Sequence, residues 1–178
     1  MQIIYKSTAA SISYFYKHLP NKKNVLIYSM NSYYTNITIL TIEKNIFTTL
    51  VSINNNLRKD DFIQRLLEYC IDDFNEKTDI NLHLNKYHKG IKRLKREIEN
   101  CLNDLRFINQ YNIDIDGLAD GEDLLMQISP TTFEMLCEDL FKQIIINIKN
   151  ALEKSKLNKF EMTISYLKVI VIMIKLER

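Results

Sequence analysis

Five carboxylates crowd one short stretch of the chain. Asp114 and Asp116 share a face of a β-rich segment, and Asp120, Glu122 and Asp123 follow at a turn. Hard cations need oxygen ligands of this kind, but acidic side chains are also ordinary turn chemistry, and the turn reading is preferred. His18, His83 and His88 have neither a cysteine nor another histidine at zinc-ligand spacing, so no metal site is expected. Cys70, Cys101 and Cys137 each occupy an apolar helical stripe, the setting of an inert core thiol rather than an activated nucleophile. Odd in number and widely spaced, they indicate no disulfide framework. No catalytic residue is expected from any of these groups.

Lys86, His88, Lys89, Lys92, Arg93, Lys95 and Arg96 form a basic run that suggests nucleic acid. Such runs on helices are usually solvated faces, and 24 Lys and Arg against 22 Asp and Glu leave a net charge of only +2. Neither a nucleic acid nor an acidic membrane is expected as a partner. Glycine is more telling. The chain has three, Gly90, Gly117 and Gly121, where average usage would give roughly a dozen. Loops that wrap phosphate need glycine for positive φ and for close backbone approach, so few places exist to build one.

The elements that hold these residues follow from hydrophobic period. At 178 residues, 46% hydrophobic and 26% charged, the chain can bury a core and needs one domain, with room for two subdomains. Residues 8–17 read as a short helix, followed by a polar connection from Leu19 to Lys23 that carries Pro20. Val25 to Tyr28, the segment bearing Ile37, Ile39 and Ile42, and Ile46 to Val51 read as an antiparallel meander of three strands. Phe62, Ile63, Leu66, Leu67, Cys70, Ile71 and Phe74 recur at helical spacing, with Asp60 and Asp61 near the amino end. Ile91 to Leu105 gives a second helix. Ile113 to Ile115 and Leu124 to Ile128 read as short strands around a turn at Gly117 to Gly121. Phe133 to Ile148 reads as one amphipathic helix, and Met162 to Ile174 as a buried closing strand. Met1 to Ser7 lack a secretory start, and no stretch reaches the ~18 to 20 apolar residues of a membrane span, so a cytoplasmic location is expected.

Several short strings in this order resemble one family. Asn24-Val25-Leu26-Ile27-Tyr28 with Ile39-Leu40-Thr41-Ile42-Glu43 resembles the strand pair around the Asp-Leu-Gly-Gly-Gly-Thr loop of the heat shock protein 70 chaperones. Ser7-Thr8-Ala9-Ala10-Ser11-Ile12-Ser13-Tyr14 is similar to their Pro-Thr-Ala-Ala-Ala-Ile-Ala-Tyr helix, and Lys92-Arg93-Leu94-Lys95 to their Arg-Arg-Leu-Arg helix. Ile113-Asp114-Ile115-Asp116-Gly117-Leu118 resembles Ile-Glu-Ile-Asp-Ser-Leu. Phe133-Glu134-Met135-Leu136-Cys137-Glu138-Asp139-Leu140-Phe141 resembles Phe-Glu-Glu-Leu-Cys-Ser-Asp-Leu-Phe.

The resemblance implies an α/β fold, the second lobe of an actin-like ATPase domain with a ribonuclease-H-like sheet and an inserted α+β subdomain. Residues 1–23 would be a crossing helix and connection, 24–53 and 130–178 the base, and 54–129 the inserted top. The family's chemistry is ATP and magnesium, bound between two lobes, and only one lobe has a counterpart here. Its phosphate loop falls at Ser29-Met30-Asn31-Ser32-Tyr33-Tyr34, with three glycines replaced and an acidic residue exchanged for a hydroxyl. The metal-side glutamate falls at Lys6, the Gly-Gly-Glu loop at Arg58-Lys59-Asp60, and the carboxyl-terminal glycine loop at Lys168 to Met173. Glu99 matches a base-binding residue, but its three companions fall at Leu102, Asn103 and Arg106. The cofactor positions implied by resemblance are therefore Asn31, Ser32, Tyr33, Tyr34 and Glu99. The expected function is a chaperone ATPase-domain fragment without ATP hydrolysis and without a cofactor of its own. The rivals are a module that binds a nucleotide-exchange factor or chaperone, and an ATP-binding component completed by another chain. Self-association is also expected, because the apolar run from Tyr166 to Ile174 is β-branched and proline-free.

Overall fold

The computed structural model describes residues 22–44, 46–157 and 162–166. The helix expected over 8–17, Lys6 and Lys168 to Met173 lie outside the described residues. The described chain divides into two compact units, one of residues 22–59 with 141–166 and the other of residues 60–140.

The first unit is built on a four-stranded sheet of order β3-β2-β1-β6. β1 (Lys22–Met30), β2 (Thr35–Glu43) and β3 (Ile46–Asn55) form the expected antiparallel meander, with Val25 opposite Leu40 and Leu26 opposite Ile39. Lys22 and Lys23 belong to β1, so the polar connection ends earlier than its composition suggested. Val25, Leu26, Ile27, Ile37, Ile39, Leu40 and Ile42 are all buried, which covers both faces of the two inner strands. Each such side chain stabilises the fold by about 1.5–3 kcal/mol. Val25, Ile27, Leu40 and Ile42 make one cluster, against which Phe47 packs. β6 (Met162–Tyr166) pairs parallel to β1, Asn24 facing Met162 and Tyr28 facing Tyr166. A parallel neighbour needs a crossover connection, and the helical segment between the two strands provides it.

In the second unit, α1 (Lys59–Thr78, its first residue in the other unit) buries the seven apolar residues that set its period, Phe62 through Phe74. Asp60 and Asp61 stand in its first turn and Lys77 in its last, both favourable to the helix dipole. After a 3-10 turn at Asn85–Tyr87, α2 (His88–Asp104) buries Gly90, Leu94, Ile98, Cys101 and Leu102. A Cβ on Gly90 would lie 2.4 Å from the Leu118 carbonyl oxygen, so only glycine permits this approach of helix and strand.

β4 (Tyr111–Ala119) and β5 (Glu122–Ile128) form a hairpin longer than expected. The turn is not Gly117 to Gly121 but the pair Asp120 (φ 48°) and Gly121 (φ 89°), an Asp-Gly two-residue connection. Gly117 (φ 52°) lies within β4 at a break in the ladder, its N–H donated to Asp123 Oδ1 at 2.6 Å. The single helix expected from Phe133 to Ile148 is two: α3 (Pro130–Leu136) and α4 (Glu138–Ser155). Ser129 caps α3 by accepting the Thr132 N–H at 3.1 Å, with Pro130 at the first position. Cys137 leaves the helical region (φ −112°, ψ 15°), and Glu138 and Asp139 then supply the negative charge that a new helix start favours.

Candidate functional site

The turn between β1 and β2 holds four of the five residues singled out by the sequence. Asn31 Oδ1 accepts the backbone N–H of Tyr33 at 2.7 Å and that of Tyr34 at 3.0 Å. The Asn31 N–H is donated to the Tyr34 carbonyl at 3.1 Å. Asparagine side chains readily close turns in this way, and no residue from Asn31 to Tyr34 has the positive φ that glycine serves. Two of the amides that a phosphate-wrapping turn would aim outward are thus bound within the turn itself.

The turn is also tied to the segment that leads into α1. The Asn31 carbonyl accepts the Lys59 N–H at 2.9 Å, and the Thr35 hydroxyl donates to the Leu57 carbonyl at 2.6 Å in a buried contact. Leu57 N–H in turn is donated to Asn55 Oδ1 at 3.1 Å. Where the family's Gly-Gly-Glu loop falls by resemblance, Lys59 and Asp60 begin α1, with Arg58 just before it. Below the turn Tyr28 is buried, and removal from water pushes its hydroxyl up to about 12. Its oxygen lies near Thr35, whose own proton goes to the Leu57 carbonyl. At the surface Ser32 is exposed, Tyr33 is 83% exposed and Tyr34 is 44% exposed. The end of the hairpin thus presents two phenol rings.

Glu99 lies on α2, in the other unit, and is half-buried. Of the positions expected to accompany it, Leu102 is buried, Asn103 is exposed, and the Arg106 guanidinium stacks 4.7 Å from the centre of the Phe107 ring. The structure thus brings Asn31, Ser32, Tyr33 and Tyr34 together in one turn, while Glu99 belongs to the other unit.

Several of the remaining candidates make contacts within their own unit. Lys86 pairs with Asp120 at 3.3 Å, and the Tyr87 hydroxyl donates to the same carboxylate. That hydroxyl, then Lys86, holds the Asp120 carboxyl below its ordinary range. Arg93 donates to the carbonyls of Asp116 at 2.8 Å and Gly117 at 3.3 Å, and Lys95 lies 3.7 Å from Asp60. Three members of the basic run are therefore committed within their own unit. Asp114 and Asp116 are exposed on one face of β4 while Ile113 and Ile115 point inward. Cys70, Cys101 and Cys137 are free and buried, and burial pushes each thiol up to about 12. Among the described residues, no group of three or more His, Cys, Asp or Glu is arranged to hold a metal ion, and no helix is long and apolar enough to cross a membrane.

Reading the sequence for lost glycines missed what Asn31 and Thr35 do. The signal was an asparagine two and three residues before the amides that it accepts, the spacing of a side-chain-closed turn. A family model described as Hsp70 protein matches residues 1–171. The heat shock 70 kDa protein of Emericella nidulans is 30% identical over 161 residues, which cover 89% of this chain and 25% of that protein. The chain spans about a quarter of the length of this curated relative.

Proposed function

Because the chain belongs to the Hsp70 family, we propose that it is a chaperone ATPase-domain fragment that works without hydrolysing ATP. The supporting observation is the Asn31 turn. Family resemblance implies ATP and magnesium, and phosphoryl transfer needs donors around the phosphates and oxygen ligands for the metal. Here the Tyr33 and Tyr34 amides are already bound by Asn31 Oδ1, and two phenol rings stand at the hairpin end. The residues present do not fit a nucleotide phosphate. The test is release of phosphate from magnesium ATP by the purified chain, expected at the level of the buffer blank. Release that disappears on Tyr33→Pro would overturn the reading.

The same proposal carries the subdomain assignment: a base of residues 24–53 and 130–178, an inserted top of 54–129, and a cytoplasmic location. A second reading, an interaction module that meets a nucleotide-exchange factor or another chaperone, draws on the exposed face of the β4–β5 hairpin. Leu125 is 68% exposed and pairs across the ladder with the exposed Asp114. An apolar side chain among carboxylates is suited to a protein surface rather than to a nucleotide. Binding of an exchange factor that survives Leu125→Lys unchanged would remove this reading.

A further inference from the structure

We propose that Cys70, Cys101 and Met126 form a three-sulfur site for a soft monovalent cation, Cu(I), inside the unit of residues 60–140. This does not rest on the nucleotide reading. Cys70 stands on the buried stripe of α1 with Leu66, Leu67 and Phe74, and Cys101 on that of α2 with Leu94 and Ile98. Side chains alternate along β5, so Met126 shares the inward face with the buried Leu124 and Ile128, and it stands opposite the buried Ile113 of β4. Three elements thus carry one sulfur each toward the same core. The Cys70 thiol donates to Met126 Sδ at 3.5 Å. Cys101 is close enough to act on Cys70: after burial, its charge is the next cause that raises that thiol.

The kind of ligand selects the ion. Thiolate and thioether sulfurs are soft donors, the set that suits Cu(I). Calcium and magnesium take oxygen ligands, and structural zinc takes four ligands where this set supplies three. Cys70 and Cys101 are fully buried, and burial penalises a thiolate that has no positive partner. A bound cation supplies that partner, and each thiol that becomes a ligand gives its proton to solvent.

The spacing and the route of entry both fit. Two sulfurs each about 2.3 Å from one ion at a trigonal angle stand about 4 Å apart. The 3.5 Å between Cys70 Sγ and Met126 Sδ must then widen by about half an ångström, which the rotatable bonds of one methionine allow. Met126 is half-buried between the exposed Leu125 and Gln127, so its thioether is the sulfur that an arriving ion meets first.

The test uses the full chain, reduced and free of oxygen. Cu(I) supplied as its bicinchoninate complex should pass to the wild-type chain at one ion per chain, and X-ray absorption should show a first shell of sulfur alone. The melting temperature should rise with the ion, as binding to the folded state requires. Cys70→Ala and Cys101→Ala should each weaken capture, and Met126→Leu, which keeps the side-chain volume, should raise the dissociation constant roughly tenfold or more. Cys137→Ala, at the break between α3 and α4, should change nothing. If an alanine variant folds poorly, Met126→Leu and the wild-type spectrum still decide. A wild-type chain that takes no copper from the complex overturns the proposal. So does a first shell that contains nitrogen or oxygen, a melting temperature that falls as copper binds, or an affinity that ignores Met126→Leu. Loss of capture on Cys137→Ala would place the ion elsewhere and would overturn it as well.

Discussion

Asn31 Oδ1 stands 2.7 Å from the backbone nitrogen of Tyr33 and accepts its N–H, so the turn where the family's phosphate loop falls by resemblance is closed by its own side chain. The same oxygen takes the Tyr34 N–H. A carboxylate accepts the same pair of bonds, whereas glycine accepts neither. Asn31→Asp is therefore expected to keep the melting temperature close to wild type. Asn31→Gly is expected to lower stability by about 1 kcal/mol, measured by denaturant unfolding. Equal stability of the glycine variant would show that the turn is held by other contacts.

Gly90 is expected to tolerate no larger residue. The Leu118 carbonyl oxygen 2.4 Å from a would-be Cβ is backbone, which cannot swing aside as the end of a side chain can. Gly90→Ala gains helix propensity but must push α2 from β4. A net loss of roughly 1–3 kcal/mol is expected in urea unfolding. A stabilised variant would mean that the helix shifts without cost.

Alkaline pH should destabilise the protein. The thiols of Cys70, Cys101 and Cys137 are raised from 9.0 to about 12 by burial. Above pH 9 the unfolded chain loses protons that the folded chain keeps, so stability falls as pH rises. Each thiol contributes up to about 1.4 kcal/mol per pH unit until its folded value is reached. Cys70→Ala should flatten the fall measured by urea unfolding from pH 8 upward. An unchanged slope would exclude Cys70 and leave the effect with the other buried groups, Cys101, Cys137 and Tyr28, which burial also raises to about 12.

Much of the architecture was legible because burial leaves a period. The spacing of Phe62 through Phe74 announced α1, and the apolar segments from Val25 onward announced the meander. What pairing partner a strand finds is not written in its own pattern, so the parallel contact of β6 with β1 was not foreseen. Cys137 fitted the helical stripe of Phe133 to Ile148, and apolar spacing alone gave no sign that the backbone breaks there. Asp120-Gly121 was readable as a hairpin turn, but Gly117 drew the turn toward itself because it too needs positive φ. At the site, the loss of glycine was plain, while the gain of an intramolecular acceptor at Asn31 was not. A missing residue type shows in composition, whereas a new hydrogen bond needs geometry.

Restoring glycine at Asn31, Ser32 and Tyr33 together should free the turn amides without producing turnover, if the proposed single-lobe reading of residues 24–178 holds. Steady phosphate release by that triple variant alone, above a blank, would show that the catalytic requirement lies within this one lobe.

Titration calorimetry of magnesium ATP into the wild-type chain tests the central claim most directly, because it reads binding without requiring turnover. No saturable heat is expected, and no rise in melting temperature at millimolar nucleotide. A ligand at 100 times its dissociation constant would stabilise the fold by about 2.7 kcal/mol, a shift easily seen. A saturable isotherm, with a matching rise in melting temperature, would contradict the account.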